Sequence, residues 1–104
     1  MSLDFSLVEK REVDIASLNI TGNLCPMWEK AGIYDALYES DGHKAGTILG
    51  VLRVGFDKMM ENPDEFKKLN APNGWGTYPQ ALAFLKTLID EIKKNPRAII
   101  RISK

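Results

Sequence analysis

The last third of the chain constrains the fold most, because it specifies a long helix and then a strand. Thr77-Tyr78-Pro79-Gln80 matches a capping box, in which the Thr hydroxyl and the Gln side chain satisfy backbone N–H groups where a helix begins. Apolar residues then recur at helical spacing, at Ala81, Leu82, Leu85, Leu88, Ile89 and Ile92. Asn95-Pro96 ends this pattern, and residues 98–102, which are rich in β-branched isoleucine, predict a strand.

The first twenty residues favour extended structure, since apolar and polar residues alternate imperfectly there. We predict a strand over residues 12–18 and an earlier strand around Leu3, Phe5 and Leu7. The charged residues 9–12 are either a hairpin turn or the exposed middle of one long bent strand. The C-terminal strand is expected to pair with the N-terminal one, because a lone strand leaves its backbone groups unsatisfied.

Helices are predicted between these strands. Asn23 is expected to cap a helix that begins at Leu24, and Gly32 to end it in a left-handed conformation. Residues 44–61 have one broad apolar stripe and predict the central helix, with Asn62-Pro63 starting a short helix after it. The sequence therefore predicts one α+β domain over residues 1–104, with three principal helices packed with a small sheet that joins the N- and C-terminal strands.

Charge and cysteine content exclude several classes of protein. Lys plus Arg and Asp plus Glu each number 14, so the zero net charge argues against nucleic-acid binding. Cys25 is the only cysteine, and no Cys/His spacing resembles a metal site. No apolar run approaches the length needed to cross a membrane, and the acidic start lacks the basic region of a signal peptide. We therefore expect a reduced, cytoplasmic protein without a cofactor.

Two polar segments that precede predicted helices are the candidate site. Residues 19–23 and 73–80 combine amide, hydroxyl and aromatic groups, and loops held by a packed scaffold are frequent sites of binding. We predict a surface for a small polar or planar ligand, or for a protein partner, formed by Asn19, Thr21, Asn23, Trp28, Trp75 and Tyr78. The competing interpretation is that these aromatic side chains only fill the core.

Catalysis is not predicted, because no nucleophile has a matched base. Cys25 lies in a first helical turn, where a thiol is readily ionised, but no spacing brings His43 to it. A small hydrolase or transferase at the two polar segments is the alternative, and it requires both residues and a carboxylate in one pocket. A virion or assembly component is a third hypothesis. A homodimer is also plausible, formed by pairing of sheet edges or by covering an apolar face.

Four motifs resemble a family of small uncharacterised proteins found in phages, prophages and bacterial genomes. They are Asn19-Ile20-Thr21-x-Asn23-Leu24, Ala31-Gly32-Ile33-Tyr34-x-Ala36-Leu37, Asn73-Gly74-Trp75-Gly76-Thr77-Tyr78 and Pro96-x-Ala98-Ile99-Ile100. Many members of that family carry His where this chain has Gly22. The resemblance implies a phage-type or mobile-element setting, and it supplies no catalytic residue because the family has no established activity.

Overall fold

The computed structural model describes residues 2–9 and 14–104. Its strands are β1 (Ser2–Val8), β2 (Asp14–Thr21) and β3 (Ile99–Ser103), and its helices are α1 (Cys25–Ala31), α2 (Tyr34–Tyr38), α3 (Leu49–Glu61), α4 (Pro63–Lys67) and α5 (Tyr78–Lys94). The predicted α+β class, with three principal helices and a sheet that joins the two ends of the chain, is confirmed.

The sheet is antiparallel, with β1 between β2 and β3. Phe5 lies opposite Leu18 on one side and opposite Ile102 on the other. Because side chains alternate along a strand, this register places Leu3, Phe5 and Leu7 on the same face, and all three are completely buried. The opposite face is polar, and Ser6 and Ser17 share a hydrogen bond across it.

The N-terminal predictions need two adjustments. The earlier strand is present as β1, and its antiparallel pairing with β2 excludes the alternative of one long bent strand. Of the charged residues 9–12, residues 10–12 lie outside the described residues. The second strand continues beyond Leu18 to Thr21, so residues 19–21 are not a loop as predicted. The reason is that Ile20 continues the alternation and packs against the core, whereas the polar neighbours face outward. Glu12 and Val13 of the predicted strand lie outside the described residues.

The helices cover the apolar face of the sheet, and α3 and α5 pack closely together. Gly55 in α3 is required for its contact with the segment after α1, because a Cβ there would lie 2.3 Å from Cγ2 of Ile33. The central helix begins at Leu49 after a 3-10 turn over Ala45–Ile48. Met60 was predicted in the buried stripe, and that was wrong: its side chain is 52% exposed, since it lies about 100° further round the helix than the buried Met59.

Helix α5 begins as predicted, at the capping box of Thr77 and Gln80. The side-chain oxygen of Gln80 accepts the backbone N–H of Thr77 at 2.9 Å and that of Gly76 at 3.0 Å. The predicted cap at Asn23 is wrong. Thr21 accepts the N–H of Asn23 and starts a 3-10 turn, and α1 follows from Cys25.

The outer edge of β3 is covered by the segment of residues 41–44. The backbone of His43 accepts the N–H of Ile100 at 2.8 Å, and the N–H of Gly42 is donated back to Ile100 at the same distance. The carboxylate of Asp41 accepts the N–H of Ile102 at 2.7 Å. This edge of the sheet therefore has its backbone groups satisfied from within the chain.

Candidate functional site

A groove of about 880 Å³ lies between the edge strand β2 and helix α5, and the loop before α5 closes one end. Its walls consist of Ser2, Leu18, Asn19, Ile20, Thr21, Gly74, Trp75, Gln80, Ala83, Phe84 and Thr87. None of these described residues is charged. We call this region the edge groove.

The edge groove follows the free edge of β2. It touches four consecutive residues of that strand, which point alternately to opposite faces of the sheet, so it runs along the strand and not across one face. Among the described residues, no hydrogen bond outside the ladder with β1 reaches the backbone of residues 14–20. This edge therefore presents unpaired N–H and C=O groups beside the groove.

Trp75 stands at the end of the edge groove on a loop that is held in place. Its side chain is 71% exposed. The side chain of Asn23 donates to the carbonyl of Trp75 at 2.7 Å, and that of Asn73 accepts its N–H at 2.9 Å. Gly76 adopts φ +121°, and a Cβ there would lie 3.0 Å from Asn23 Cβ, so only glycine suits this position. The exposed ring is thus carried on an ordered backbone.

Three predicted site residues meet at the edge groove: Asn19, Thr21 and Trp75. Asn19 lies on the outer face of β2, where its side chain donates to Asp4. Asn23 supports the groove from behind through its bond to the loop, and its side chain is not part of the wall. The two predicted segments therefore converge, although the first of them is a strand end.

Trp28 and Tyr78 were predicted on the surface, and the structure places both inside the protein. Trp28 is completely buried in the core, where its ring lies 5.9 Å from that of Phe84. Tyr78 is 6% exposed, and its hydroxyl donates to the carbonyl of Met59 at 2.7 Å. These two rings have the packing role of the competing interpretation, because each follows the apolar face of its helix.

The helical wall of the edge groove was not predicted from the sequence. Gln80, Ala83, Phe84 and Thr87 recur at spacings of three and four residues, which places them on one side of α5. This second stripe is weak in the sequence because only Phe84 in it is strongly apolar. A search of the helix for a second face at that spacing would have found it.

The residues considered for catalysis do not meet. The thiol of Cys25 donates to the Tyr38 hydroxyl at 3.3 Å, and burial, followed by this bond, raises the pKa of Tyr38. The backbone of His43 lies at the outer edge of β3, and among the described residues no hydrogen bond joins its side chain to Cys25. Within residues 2–9 and 14–104, no three His, Cys, Asp or Glu side chains are grouped to hold a metal ion. The described walls of the edge groove thus carry amide, hydroxyl and aromatic groups, and neither Cys25 nor His43 is among them.

Comparison with known proteins identifies no family for this chain. Neither the family models, nor the curated proteins, nor the solved structures contain a match to this chain. In the described ranges, no helix has the length and apolar character needed to cross a membrane.

Proposed function

We propose that this protein is a small accessory binding module that captures an uncharged, extended segment of a protein partner in the edge groove. The observation that carries the proposal is the free edge of β2 beside the exposed Trp75 ring. A peptide that pairs with a sheet edge gains main-chain hydrogen bonds, and pockets for alternate side chains supply the specificity. The phage-type setting rests only on the resemblance of the motifs.

The position of α5 indicates which side chains such a segment would carry. A strand added beside β2 places alternate side chains on the face of Leu18 and Ile20, towards Ala83 and Phe84 of α5. Those positions favour apolar side chains, and the absence of charge among the described wall residues disfavours buried charge there. The four contacted residues of β2 match an extended segment about 13 Å long, or about four residues.

Trp75 is the expected anchor. Tryptophan is enriched among the residues that dominate binding energy, and this ring is exposed on a loop whose backbone is already ordered. Because ordering is complete before binding, little conformational entropy is lost when the ring is covered. An anchor of this kind contributes about 2 kcal/mol, which corresponds to about thirtyfold in Kd.

The test is selection of a random heptapeptide library displayed on phage against the immobilised protein. We expect enriched peptides with uncharged, alternating apolar positions, whose binding slows amide exchange in β2. Trp75→Ala should weaken the best peptide about thirtyfold. The matched control is Val54→Ala, which removes another exposed apolar side chain, 69% exposed on α3, and should leave Kd unchanged.

Four results would overturn the proposal. Three of them are a selection that yields no binder, a binder whose Kd is the same for Trp75→Ala and the wild type, and a consensus in which the alternating positions are charged. The fourth is a small planar compound that binds the groove while peptides do not.

A further inference from the structure

A second groove lies on the other flank of α5, between that helix and α3. It has a volume of about 550 Å³, and its walls are formed by Arg53, Phe56, Asp57, Met60, Leu82, Ala83, Lys86, Ile89 and Asp90. Ala83 contributes to both grooves, so α5 forms the ridge between them. We call this second surface the helix groove, and it is independent of the edge groove and of the function proposed for it.

The base of the helix groove is apolar and incompletely covered. Met60 is 52% exposed, and Phe56 and Leu82 are only half-buried. Apolar side chains grouped in this way at a groove rimmed by charges are typical of an interaction surface.

Four charged side chains surround this apolar base in an alternating arrangement. The two helices are antiparallel, since Tyr78 at the start of α5 bonds Met59 near the end of α3, and Gly46 ahead of α3 bonds Pro96 beyond α5. Along the groove, Arg53 on α3 and Asp90 on α5 therefore lie towards the same end. Asp57 follows one turn further along α3, and Lys86 one turn back along α5 in the same direction. In the direction of α3, the rim charges are positive and then negative on α3, and negative and then positive on α5.

None of these four charges has an ion pair or a side-chain hydrogen bond within the described part of the chain, although the charged pair on each helix is spaced by four residues. Their charges also sum to zero. The helix groove thus combines apolar surface with two cations and two anions that are free to pair outside the molecule.

We propose that the helix groove is the interface of a symmetric homodimer, in which a second copy of this chain covers it. A two-fold axis along the helices places Arg53 opposite Asp90 of the second copy and Asp57 opposite its Lys86. A two-fold axis across the helices places Arg53 opposite Asp57 and Lys86 opposite Asp90. The alternating rim therefore meets opposite charge in either arrangement, which is the self-complementarity that an isologous interface requires.

A second copy fits this surface better than a partner of one charge sign. A strongly acidic or basic segment would meet like charge at half of the rim, and like charges held together oppose binding. An uncharged segment would leave all four charges unpaired at the border of an apolar contact. Only a surface with the same alternation pairs every one of them.

The test is a charge-exchange experiment followed by sedimentation velocity. Variant one carries Arg53→Glu and Lys86→Glu, so that its rim is entirely negative. Variant two carries Asp57→Lys and Asp90→Lys, so that its rim is entirely positive. We expect the wild type to pass from monomer to dimer between about 1 μM and about 1 mM, each variant to remain monomeric, and an equimolar mixture of the two to form the dimer again.

The matched control is Glu29→Lys with Asp35→Lys, two exposed positions on α1 and α2 that change the net charge as much as variant two does. It should dimerise like the wild type. Circular dichroism establishes that each variant is folded, and recovery in the mixture cannot result from misfolding.

The proposal is overturned if the wild type is monomeric throughout this range, or if both charge variants dimerise as the wild type does. It is also overturned if dimerisation is abolished by Trp75→Ala and not by the charge variants, which would place the contact at the edge groove.

Discussion

The two edges of the sheet are treated differently, although both belong to short strands that pair with β1. The edge of β3 is closed by residues 41–44, through three hydrogen bonds to Ile100 and Ile102. Among the described residues, the edge of β2 receives no such cover over residues 14–20, and a neutral groove with an exposed tryptophan follows it.

The two edges therefore serve different properties: the covered edge contributes to stability, and the open edge is available for binding. Backbone groups that are satisfied within the chain contribute to folding, whereas unpaired groups at an open edge bond water until another strand replaces it. Substitutions at the covered edge should therefore lower the free energy of unfolding. The open edge should tolerate substitution without loss of stability.

The largest effect is expected from removal of the covered edge strand. Deletion of residues 97–104 removes the completely buried Ile100 and all of β3, which pairs with one side of β1. Full burial of such a side chain contributes about 1.5–3 kcal/mol, and the free energy of unfolding of the whole domain is expected to be about 5–15 kcal/mol. Thermal unfolding by circular dichroism should then show no cooperative transition.

Deletion of Lys104 alone is the control for this truncation. It removes the bonds of the Lys104 amine to the Tyr38 carbonyl and the Glu39 carboxylate and leaves β3 intact, so the transition should remain cooperative. A truncated chain without residues 97–104 that is monomeric and unfolds cooperatively would show that β3 contributes little to the fold.

The second prediction compares one polar side chain at each edge. Asp41→Ala removes the acceptor of the Ile102 N–H and should cost about 1–2 kcal/mol, because a backbone donor at the covered edge is left without its partner. Asn19→Ala removes an exposed side-chain bond to the Asp4 carboxylate, which water can replace, and should cost less than about 0.5 kcal/mol. Urea unfolding at unchanged slope measures both. Equal costs would remove the distinction between the edges.

The sequence predicted the elements better than their boundaries. The helix after Thr77 and the strand around Ile100 carry strong local signals, a capping box and a β-branched run, and both are present. The end of β2 was misplaced because Asn19 and Thr21 are turn-prone residues by local preference. Pairing with β1 determines their conformation, and this pairing cannot be inferred from the residues that are adjacent in sequence.

The candidate site was predicted in part for a related reason. Asn19, Thr21 and Trp75 were identified from the chemistry of their segments, and the fold brings them together. Trp28 and Tyr78 were assigned to the same surface, but the burial of an aromatic ring depends on which helix face meets the core. The free edge of β2 was also not predictable, since it follows from the order of strands in the sheet.

The third prediction concerns the loop that ends the open edge. Gln80→Ala removes the acceptor of two backbone N–H groups, those of Gly76 and Thr77, and should cost about 1 kcal/mol, as loss of a helix cap does. Thr87→Ala is the control, since it lies on the same wall of the groove without a cap role. A cost for Gln80→Ala no greater than that for Thr87→Ala would mean that the loop is held by its other hydrogen bonds, those of Asn23 and Asn73.

The smallest effect on stability is expected at Trp75, the residue to which we assign the largest effect on binding. Trp75→Ala should change the free energy of unfolding by less than about 0.5 kcal/mol, because a ring that is 71% exposed contributes little to the core. Trp28→Ala is the contrasting variant and should cost about 3–5 kcal/mol, since it empties a fully buried site. Urea unfolding of both variants measures the two costs under the same conditions. A loss of about 2 kcal/mol or more for Trp75→Ala would show that its ring packs against the fold in solution, and the open edge would then lack its proposed anchor.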